Sequence, residues 1–283
     1  MQGQINTIKS TQLQGKVVLI TGASGGIGAA TARAFDQHKA KLVLVSRRKE
    51  KLEQLASELH NPLVIPADIS DITQAVMLID KTIDHFGRID ILINNAASII
   101  VSAADKVSSE DLIKGFMTNL CGPVLATQRA IQFMRRQGRG QIINVGSPGF
   151  MMGIPFYTPY VCSKAAFSAW TRTVQAEWKG TNIIVSEYFP GYILTDSLPE
   201  SRIGEIGQDF LMERKQNFIS RYFTRPQTPE TVARQLLCLA EHPRILMCSS
   251  FSVRLGTFIS NFPAFRLSIS GQMAKTAYTK LKL

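Results

Sequence analysis

Three side chains near the middle of the chain, Ser147, Tyr160 and Lys164, are of types that can hold and transfer a proton. Tyr160 and Lys164 lie four positions apart, so on a helix they would share one face. An ammonium group beside a phenol favours the phenolate and lowers the phenol pKa from its usual value of about 10. Tyr160 can then serve as an acid or a base near neutral pH.

Two local patterns would position these side chains. Ser147 follows the apolar run 141–146, which predicts a buried strand that carries the hydroxyl to the same site. Pro159 suits the first turn of a helix and would break its interior, so we expect Tyr160 to open that helix. Many surface helices carry a Tyr and a Lys at this spacing, so the pair alone does not establish a function.

A glycine-rich segment near the amino end has the order expected of a nucleotide-binding turn. An apolar run at 16–21 predicts a strand, residues 22–28 contain the glycines, and residues 29–35 have a helical pattern. Glycines let the backbone approach a pyrophosphate, whose charge is met by free amides and the helix dipole. The glycine spacing alone would also fit an ordinary tight turn, but the flanking strand and helix favour nucleotide binding.

Apolar runs and helical patterns alternate along most of the chain, which predicts a parallel sheet with helices on both faces. Such a doubly wound α/β sheet binds its ligands outside the carboxyl ends of its strands. The predicted strands are residues 16–21, 41–46, 63–67, 89–94, 141–147, 182–189 and 244–248.

The composition is that of a globular chain with a large core. Of its 283 residues, 45% are hydrophobic and 19% are charged, which excludes a disordered chain. Because no linker interrupts the pattern, we predict one domain over residues 13–248, an amino-terminal extension at 1–12 and a tail at 249–283. Residues 1–14 contain no apolar segment typical of a signal peptide, which favours a cytoplasmic location.

The four cysteines are scattered, with neither paired nor zinc-ligand spacing. Isolated cysteines of this kind are typical of small buried residues in a reducing compartment. We therefore expect buried cysteines, without a disulfide or a metal.

The combination of motifs resembles the short-chain dehydrogenase/reductase family from about residue 13 to residue 196. Each motif is weak by itself, but their joint order and spacing are specific. The resemblance implies a single-domain Rossmann-type fold, with about seven strands in the order 3-2-1-4-5-6-7, and an oxidoreductase activity. The motifs are Thr21-Gly22-x-x-x-Gly26-x-Gly28, Asn94-Asn95-Ala96-Ala97, Asn119, Ser147, Tyr160-x-x-x-Lys164 and Pro190-Gly191 through Thr195.

The resemblance also implies the catalytic roles. Ser147 would orient and polarise a carbonyl oxygen, Tyr160 would donate the proton, and Lys164 would lower the Tyr160 pKa and hold the nicotinamide ribose. Asn119 would bend a helix and support a water relay; alternatively, it faces solvent in mid-helix. The implied cofactor-binding residues are Gly22, Ser24, Gly26, Ile27, Gly28, Ser46, Arg47, Arg48, Asp68, Ile69, Asn95, Ala96, Tyr160, Lys164, Pro190, Gly191, Ile193 and Thr195.

The end of the second predicted strand indicates which cofactor is used. An NAD site usually has Asp or Glu there to bind the ribose 2′-hydroxyl, whereas this chain has Arg47, Arg48 and Lys49. Guanidinium groups suit a 2′-phosphate, so NADP(H) is favoured over NAD(H). The cations could also form only a solvated patch at a helix start. Asp68, the implied adenine contact, could instead cap the helix that begins near Asp71.

A second tyrosine, Tyr157, precedes Lys164 by seven positions, a spacing similar to the enoyl-reductase branch of the family. Because Pro159 would leave Tyr157 in the preceding loop, we expect it to line the pocket or to support it from behind. Apolar residues at 150–156 and in a predicted substrate flap at about 192–226 suggest a pocket for a lipid-like, steroid-like or aromatic carbonyl compound. Packing between helices explains the same residues equally well.

The tail is basic and apolar. Residues 242–283 contain six Lys and Arg and no Asp or Glu, in a chain of net charge +11. This composition suits an anionic membrane surface, although the apolar runs are too short to span a bilayer. The tail could instead cover the sheet edge or a partner subunit. We predict a homodimer rather than a tetramer, and no nucleic-acid partner, since no nucleic-acid-binding motif accompanies the charge.

The leading hypothesis is an NADPH-dependent carbonyl reductase, reversible as an alcohol dehydrogenase, that acts on a hydrophobic substrate. Two alternatives come from other classes. One is a non-catalytic NADP-binding regulatory or scaffold protein, and the other is a peripheral membrane protein whose tail carries the main function.

Overall fold

A parallel sheet forms the centre of the molecule. The computed structural model describes residues 11–193 and 226–259. The strands are β1 (Val17–Thr21), β2 (Lys41–Ser46), β3 (Leu63–Pro66), β4 (Ile91–Asn94), β5 (Gly140–Val145), β6 (Ile183–Phe189) and β7 (Leu246–Cys248). They pair in the order β3-β2-β1-β4-β5-β6-β7, and all six pairings are parallel. This order confirms the predicted Rossmann-type sheet.

Helices cover both faces of this sheet. The helices of the described residues are α1 (Gly26–Gln37), α2 (Lys49–Ala56), α3 (Ile72–Phe86), α4 (Ser109–Phe116), α5 (Gly122–Gln137), α6 (Gly149–Met152), α7 (Thr158–Glu177), α8 (Pro229–Glu241) and α9 (Phe251–Ile259). Apolar residues of α1, α2 and α8 pack on one face, and those of α3, α5 and α7 pack on the other.

The two cores follow from the alternation of side chains along each strand. In β1, Val18 and Ile20 belong to the core under α1, whereas Val17 and Leu19 belong to the core under α3 and α5. All four are almost fully buried. A strand covered on both faces needs a continuous apolar run, which is why the sequence predicted the inner strands well.

Helix starts agree less closely with the sequence predictions. Asp71 caps α3 by accepting hydrogen bonds from the backbone N–H groups of Thr73 and Gln74 at 2.8 and 3.1 Å. The alternative in which Asp68 is the cap is therefore wrong. Pro159 lies in the first turn of α7, but the helix begins at Thr158, two residues before the predicted start at Tyr160.

The two predicted end segments are described only in part. A short 3-10 turn, Thr11–Leu13, precedes β1. The described part of the predicted tail contains α9, which follows β7. Most of the predicted flap, including Thr195, lies outside the described residues, as do residues 260–283.

Two surface properties of the described residues bear on the sequence predictions. Cys162 and Cys238 are exposed, so the expectation of buried cysteines is wrong for these two; Cys121 and Cys248 are partly buried. Within residues 11–193 and 226–259, no helix combines the length and apolar character needed to cross a membrane.

Candidate active site

The glycine turn between β1 and α1 is closely packed. Gly22 has a φ of 70°, and a Cβ atom there would lie 2.9 Å from Ala96 Cα. A Cβ atom on Gly28 would lie 2.2 Å from the carbonyl oxygen of Gly22. Gly25 occupies the N-cap position of α1 and has no side chain that could cap the helix, and the first turn of α1 contains no acidic residue. The turn therefore presents backbone amides and a helix dipole that suit a phosphate anion.

Thr21 fixes the segment that follows β4 against the end of β1. Its hydroxyl accepts hydrogen bonds from the backbone N–H groups of Asn95 and Ala96 at 3.0 and 3.1 Å, and it donates to Ile93 O. The side-chain amide of Asn95 donates to the carbonyl oxygen of Thr21 at 2.9 Å. Asn95 and Ala96 therefore lie directly beside the glycine turn, at the carboxyl end of the sheet.

A polar cluster joins the glycine turn to the end of β2. The hydroxyl oxygens of Ser24 and Ser46 lie 2.6 Å apart. Arg48 donates to Ser24 Oγ from Nε at 3.0 Å and from Nη2 at 2.9 Å. The same Nη2 lies 3.2 Å from the position that a Cβ atom would take on Gly25. Arg48 is the N-cap residue of α2, and its guanidinium group is held against the glycine turn.

Arg47 points to a different partner. Its guanidinium group lies 3.8 Å from a carboxylate oxygen of Asp68, and its side chain is largely exposed. The other Asp68 oxygen accepts hydrogen bonds from the backbone N–H and the hydroxyl of Ser70.

Ile69 is buried, and a Cβ atom on Gly122 would lie only 1.9 Å from its carbonyl oxygen. Gly122 therefore allows α5 to approach the segment after β3.

Ser147 lies just beyond the carboxyl end of β5, as the sequence predicted. The side chain is largely buried, and its hydroxyl accepts a hydrogen bond from the backbone N–H of Gly149 at 3.3 Å. Gly149 opens the short helix α6, which connects β5 to the loop before α7. This local bond fixes the hydroxyl at the sheet edge where parallel-sheet ligands bind.

Tyr160 lies in the first turn of α7, next to a small apolar cluster. Val101, Ala103, Phe156 and Tyr157 form the buried part of this cluster, and Tyr160 packs against it. The rings of Tyr157 and Tyr160 meet edge to face, with an interplanar angle of 70° and centroids 6.5 Å apart. Tyr157 is itself buried and precedes α7, which agrees with the predicted supporting position.

Lys164 reaches from α7 to the end of β5. Its ammonium group donates a hydrogen bond to the carbonyl oxygen of Val145 at 2.8 Å, and its side chain is buried. Burial lowers the pKa of Lys164 from 10.5 to about 8, and the nearby Glu187 carboxyl opposes this shift. The lysine is therefore charged below about pH 8 and loses its charge above that pH.

Asn119 is fully buried within a π-helical turn, Met117–Cys121, between α4 and α5. Its side-chain oxygen accepts a hydrogen bond from Ser98 N at 2.7 Å. Its amide donates to Ser98 O and to Ser163 Oγ, both at 2.9 Å. Ser163 in turn donates to the carbonyl oxygen of Tyr160 at 2.9 Å. The alternative in which Asn119 faces solvent is wrong, since it links the loop after β4 to the first turn of α7.

The segment after β6 contacts residues that precede α8. Gly191 N donates to the side-chain oxygen of Gln227 at 3.4 Å, and Gln227 N donates to Tyr192 O at 2.8 Å. Ile193 forms an isolated parallel bridge with Gln227 and packs on the core under α1 and α8, where Ile27 also packs. Pro190, Gly191 and Ile193 therefore lie together at the carboxyl end of β6.

Sequence reasoning missed three residues that support the site. Thr21 was seen only as part of the glycine motif, although its hydroxyl holds Asn95 and Ala96. Ser163 was overlooked beside Lys164, because its bond to Asn119 depends on the tertiary fold. Glu187 carried a visible signal, a carboxylate within the apolar run 183–189.

Comparisons with known proteins agree with one another on a single family. The family model for short chain dehydrogenase matches residues 16–205. The uncharacterised oxidoreductase YxnA of Bacillus subtilis is 32% identical over 244 residues, which cover 84% of this chain and 66% of that protein. The 3-oxoacyl-[acyl-carrier-protein] reductase FabG of Thermotoga maritima is 34% identical over 239 residues, 81% of this chain and 92% of FabG.

A plant relative and a crystal structure extend the comparison. The 11-beta-hydroxysteroid dehydrogenase 1A of Arabidopsis thaliana is 37% identical over 199 residues, which cover 68% of this chain but only 56% of that protein. A short chain dehydrogenase/reductase from Burkholderia phymatum in complex with NAD aligns with a TM-score of 0.76 at 21% identity. The alignment covers 87% of this chain and 93% of that chain, and it supports the fold.

Proposed function

Because the chain belongs to the short-chain dehydrogenase/reductase family and is an NAD(P)-dependent oxidoreductase, we propose that it interconverts a hydrophobic carbonyl compound and its alcohol with NADP(H). The observation that carries this proposal is the arrangement around α7. Lys164 is buried and bonded to the end of β5, Ser147 follows the same strand, and Tyr160 is one helical turn from Lys164. Asn119 reaches the same turn through Ser163.

The proposed roles follow from these contacts. When bound, the nicotinamide cofactor supplies the hydride for reduction or accepts it for oxidation. Ser147 donates a hydrogen bond that orients and polarises the carbonyl oxygen, and Tyr160 donates the proton to the developing alkoxide. The Lys164 charge lowers the Tyr160 pKa and suits the ribose hydroxyls. The apolar cluster beside Tyr160 excludes water from the proton transfer.

The preference for NADP(H) is supported by the cluster at the end of β2. Arg48 is held against the glycine turn through Ser24, close to where a 2′-phosphate on the adenosine ribose would require a cation. Arg47 lies beside Asp68 and offsets the charge of that carboxylate. The end of β2 contributes serine and arginine rather than the Asp or Glu that favours NAD.

A hydrophobic substrate is supported by two observations. Val101, Ala103, Phe156 and Tyr157 place apolar surface beside Tyr160. Two relatives, a 3-oxoacyl reductase and a hydroxysteroid dehydrogenase, are named for carbonyl and alcohol chemistry. The predicted flap, which would complete the pocket, lies largely outside the described residues.

We also propose that one surface of the chain contacts an anionic membrane. This surface, called the α9 surface, consists of Arg244, Ile245, Leu246, Phe251, Arg254 and Phe258. The side chains of Phe251, Ile245 and Phe258 are 76%, 67% and 64% exposed, and that of Leu246 is 47% exposed. The two exposed arginines beside them complement anionic headgroups, while the apolar side chains suit the interface. The homodimer and the cytoplasmic location remain predictions of the sequence.

The catalytic proposal is tested by measuring binding and turnover in sequence. A thermal-shift panel of NADP(H) and NAD(H) is followed by oxidation of the favoured reduced cofactor with a library of carbonyl compounds. We expect the larger stabilisation with NADPH and oxidation of NADPH by hydrophobic ketones or aldehydes. Tight NADPH binding without turnover across the library would instead support the non-catalytic alternative.

A further inference from the structure

Glu187 is a buried carboxylate in the middle of the sheet, and the proposed catalytic roles do not use it. It lies in β6, where only 3% of its surface is exposed. In the parallel pairing with β5 it is the partner of Asn144. Because partners in a parallel pair project from the same face, Glu187 lies on the face from which Asn144 donates to Thr171 of α7. The carboxylate therefore lies under α7.

The face of α7 above Glu187 carries the lysine of the site. Lys164, Ser168 and Thr171 recur at spacings of four and three, so they share one side of the helix. All three are buried. Next to them, Arg172 brings its Nε atom to 3.8 Å from Glu187 Oε2 while its side chain stays half exposed. Glu187 is thus held on its solvent side by one cation of α7.

The other side of the carboxylate lies close to the end of β5. Glu187 Oε1 is 3.4 Å from the position that a Cβ atom would take on Gly146, the residue before Ser147. The preceding residue, Val145, provides the carbonyl oxygen that binds the Lys164 ammonium group. Gly146 therefore leaves space for the carboxylate between two cations, Arg172 toward solvent and Lys164 toward the site.

From this arrangement we propose that Glu187 is a positioning residue that keeps Lys164 charged in its buried place. The role rests on the proposed function, because it concerns the lysine that would lower the Tyr160 pKa. A carbonyl oxygen alone satisfies one donor of the ammonium group but supplies no compensating charge. Glu187 supplies that charge from the strand behind the site, without contact with substrate or cofactor.

The directions of the pKa shifts support this pairing. Burial lowers the pKa of Lys164, whereas the Glu187 carboxylate raises it. Burial raises the pKa of Glu187, whereas the Ser168 hydroxyl, Arg172 and Lys164 lower it. Among the described residues, Cys248 of β7 is a further titratable group near Glu187; burial raises its pKa, Arg254 lowers it and Glu187 raises it. Lys164 and Arg172 are thus the cations that oppose the effect of burial on the Glu187 carboxyl.

The experiment measures the Lys164 pKa directly in the cofactor-free protein. Carbon-13 is placed at the Cε position of all lysines, and the Lys164 resonance is identified by its loss in Lys164→Met. In the unaltered chain we expect titration at about pH 8. In Glu187→Gln, which keeps the shape and removes the charge, we expect the Lys164 pKa to fall by about one unit or more.

A second variant removes the same charge with a different side chain. Glu187→Leu replaces the carboxyl group with an apolar side chain of similar size, so the Lys164 pKa should fall here too. Glu177→Gln, at the exposed end of α7, is the matched control and should leave it unchanged. An unchanged Lys164 pKa in folded Glu187→Gln would overturn the proposal. If that variant does not fold, an unchanged Lys164 pKa in Glu187→Leu would overturn it.

This measurement separates the positioning role from the proposed function. It requires no cofactor, substrate or turnover, so a failed carbonyl screen would leave its result intact. Conversely, normal turnover together with an unchanged Lys164 pKa in Glu187→Gln would support the proposed function and refute the positioning role of Glu187.

Discussion

At the scale of single residues, the site depends on a lysine that is buried at some energetic cost. Lys164 has its pKa lowered to about 8, so near neutral pH most of it stays charged although it is shielded from water. Two interactions offset the cost of burying this charge: the hydrogen bond to the Val145 carbonyl oxygen and the electrostatic attraction of Glu187. Raising the pH through about 8 removes the charge and, with it, the proposed lowering of the Tyr160 pKa.

The first residue-scale prediction concerns Arg48. In Arg48→Ala we expect NADPH affinity to fall about tenfold or more, because a charged hydrogen bond to the 2′-phosphate contributes about 1.5 to 3 kcal/mol. Arg47→Ala should weaken NADPH less, since Asp68 already engages that guanidinium group. The measurement is titration of each variant with NADPH and with NADH.

Arg33→Ala is the matched control, because Arg33 is an exposed arginine of α1 that pairs with Glu58 away from the turn. It should leave both affinities unchanged. Equal losses of NADPH and NADH in Arg48→Ala would mean that Arg48 only supports Ser24, and would contradict phosphate recognition.

Residue types were easier to predict than residue partners. The cations after β2 were evident from the sequence, but only the fold directs Arg48 to Ser24 and Arg47 to Asp68. Glu187 was missed for a similar reason. A carboxylate in an apolar strand indicates a special environment, but the cations that compensate its charge come from α7, and only the fold shows that this face of α7 packs on β6.

At the scale of elements, the glycine turn shows how little free space the site has. A Cβ atom on Gly28 would lie 2.2 Å from the Gly22 carbonyl oxygen, so the start of α1 would have to move away from β1. We predict that Gly28→Ala lowers the free energy of unfolding by about 2 kcal/mol or more, as expected for overpacking. It should also abolish measurable NADP(H) binding.

Gly256→Ala is the matched control for this prediction. Gly256 lies inside α9, and a Cβ atom there would meet no atom of the described residues within 4 Å, apart from the backbone of its own helix. Alanine should therefore be neutral or stabilise α9 by up to about 1 kcal/mol. Denaturant unfolding and cofactor titration of both variants provide the test, and unaltered cofactor binding by Gly28→Ala would contradict the assigned turn.

Strands were predictable as elements, whereas the helix details were less so. A buried parallel strand leaves a continuous apolar run, so all seven predicted strands overlap the observed ones. The resemblance implied a bent helix at Asn119, where the π-helical turn Met117–Cys121 lies, but the bonds of Asn119 to Ser98 and Ser163 exist only in the folded chain and could not be predicted. The sequence offered Asp68 as an alternative cap of α3, whereas Asp71 is the cap, since both residues are acidic and close to the helix start.

At the scale of the whole molecule, charge and exposed apolar surface coincide at the end of the described chain. Residues 242–283 contain no acidic residue, and the described part of this stretch includes the α9 surface. On α9, Phe251 and Phe258 are seven residues apart and Arg254 lies between them, so they share one exposed face. Such a face suits a membrane interface better than water.

We predict that the purified protein floats with phosphatidylserine-containing liposomes and does not float with neutral ones. The double variant Phe251→Ser, Phe258→Ser should remain with the soluble fraction. Ile113→Ser changes an exposed apolar residue on α4, and as the matched control it should float normally. Equal flotation of the double variant would contradict a role for α9, and stable self-association without lipid binding would favour a second copy of the chain.

The overall architecture was accessible from the sequence because several motifs lie at the carboxyl ends of strands. Ser147 follows β5, Pro190 follows β6, and the glycine turn follows β1. The substrate was not accessible in the same way. Apolar residues such as Ile154 and Phe156 pack a cluster as readily as they line a pocket, and their composition is the same in both cases.

The central claim is that Tyr160 transfers the proton while the cofactor is bound elsewhere in the same crevice. Its most direct test is Tyr160→Phe, with single-turnover oxidation of NADPH by the best carbonyl substrate and NADPH titration measured side by side. We predict nearly unchanged NADPH affinity and a rate lower by about a hundredfold or more. Undiminished reduction by Tyr160→Phe would contradict the account.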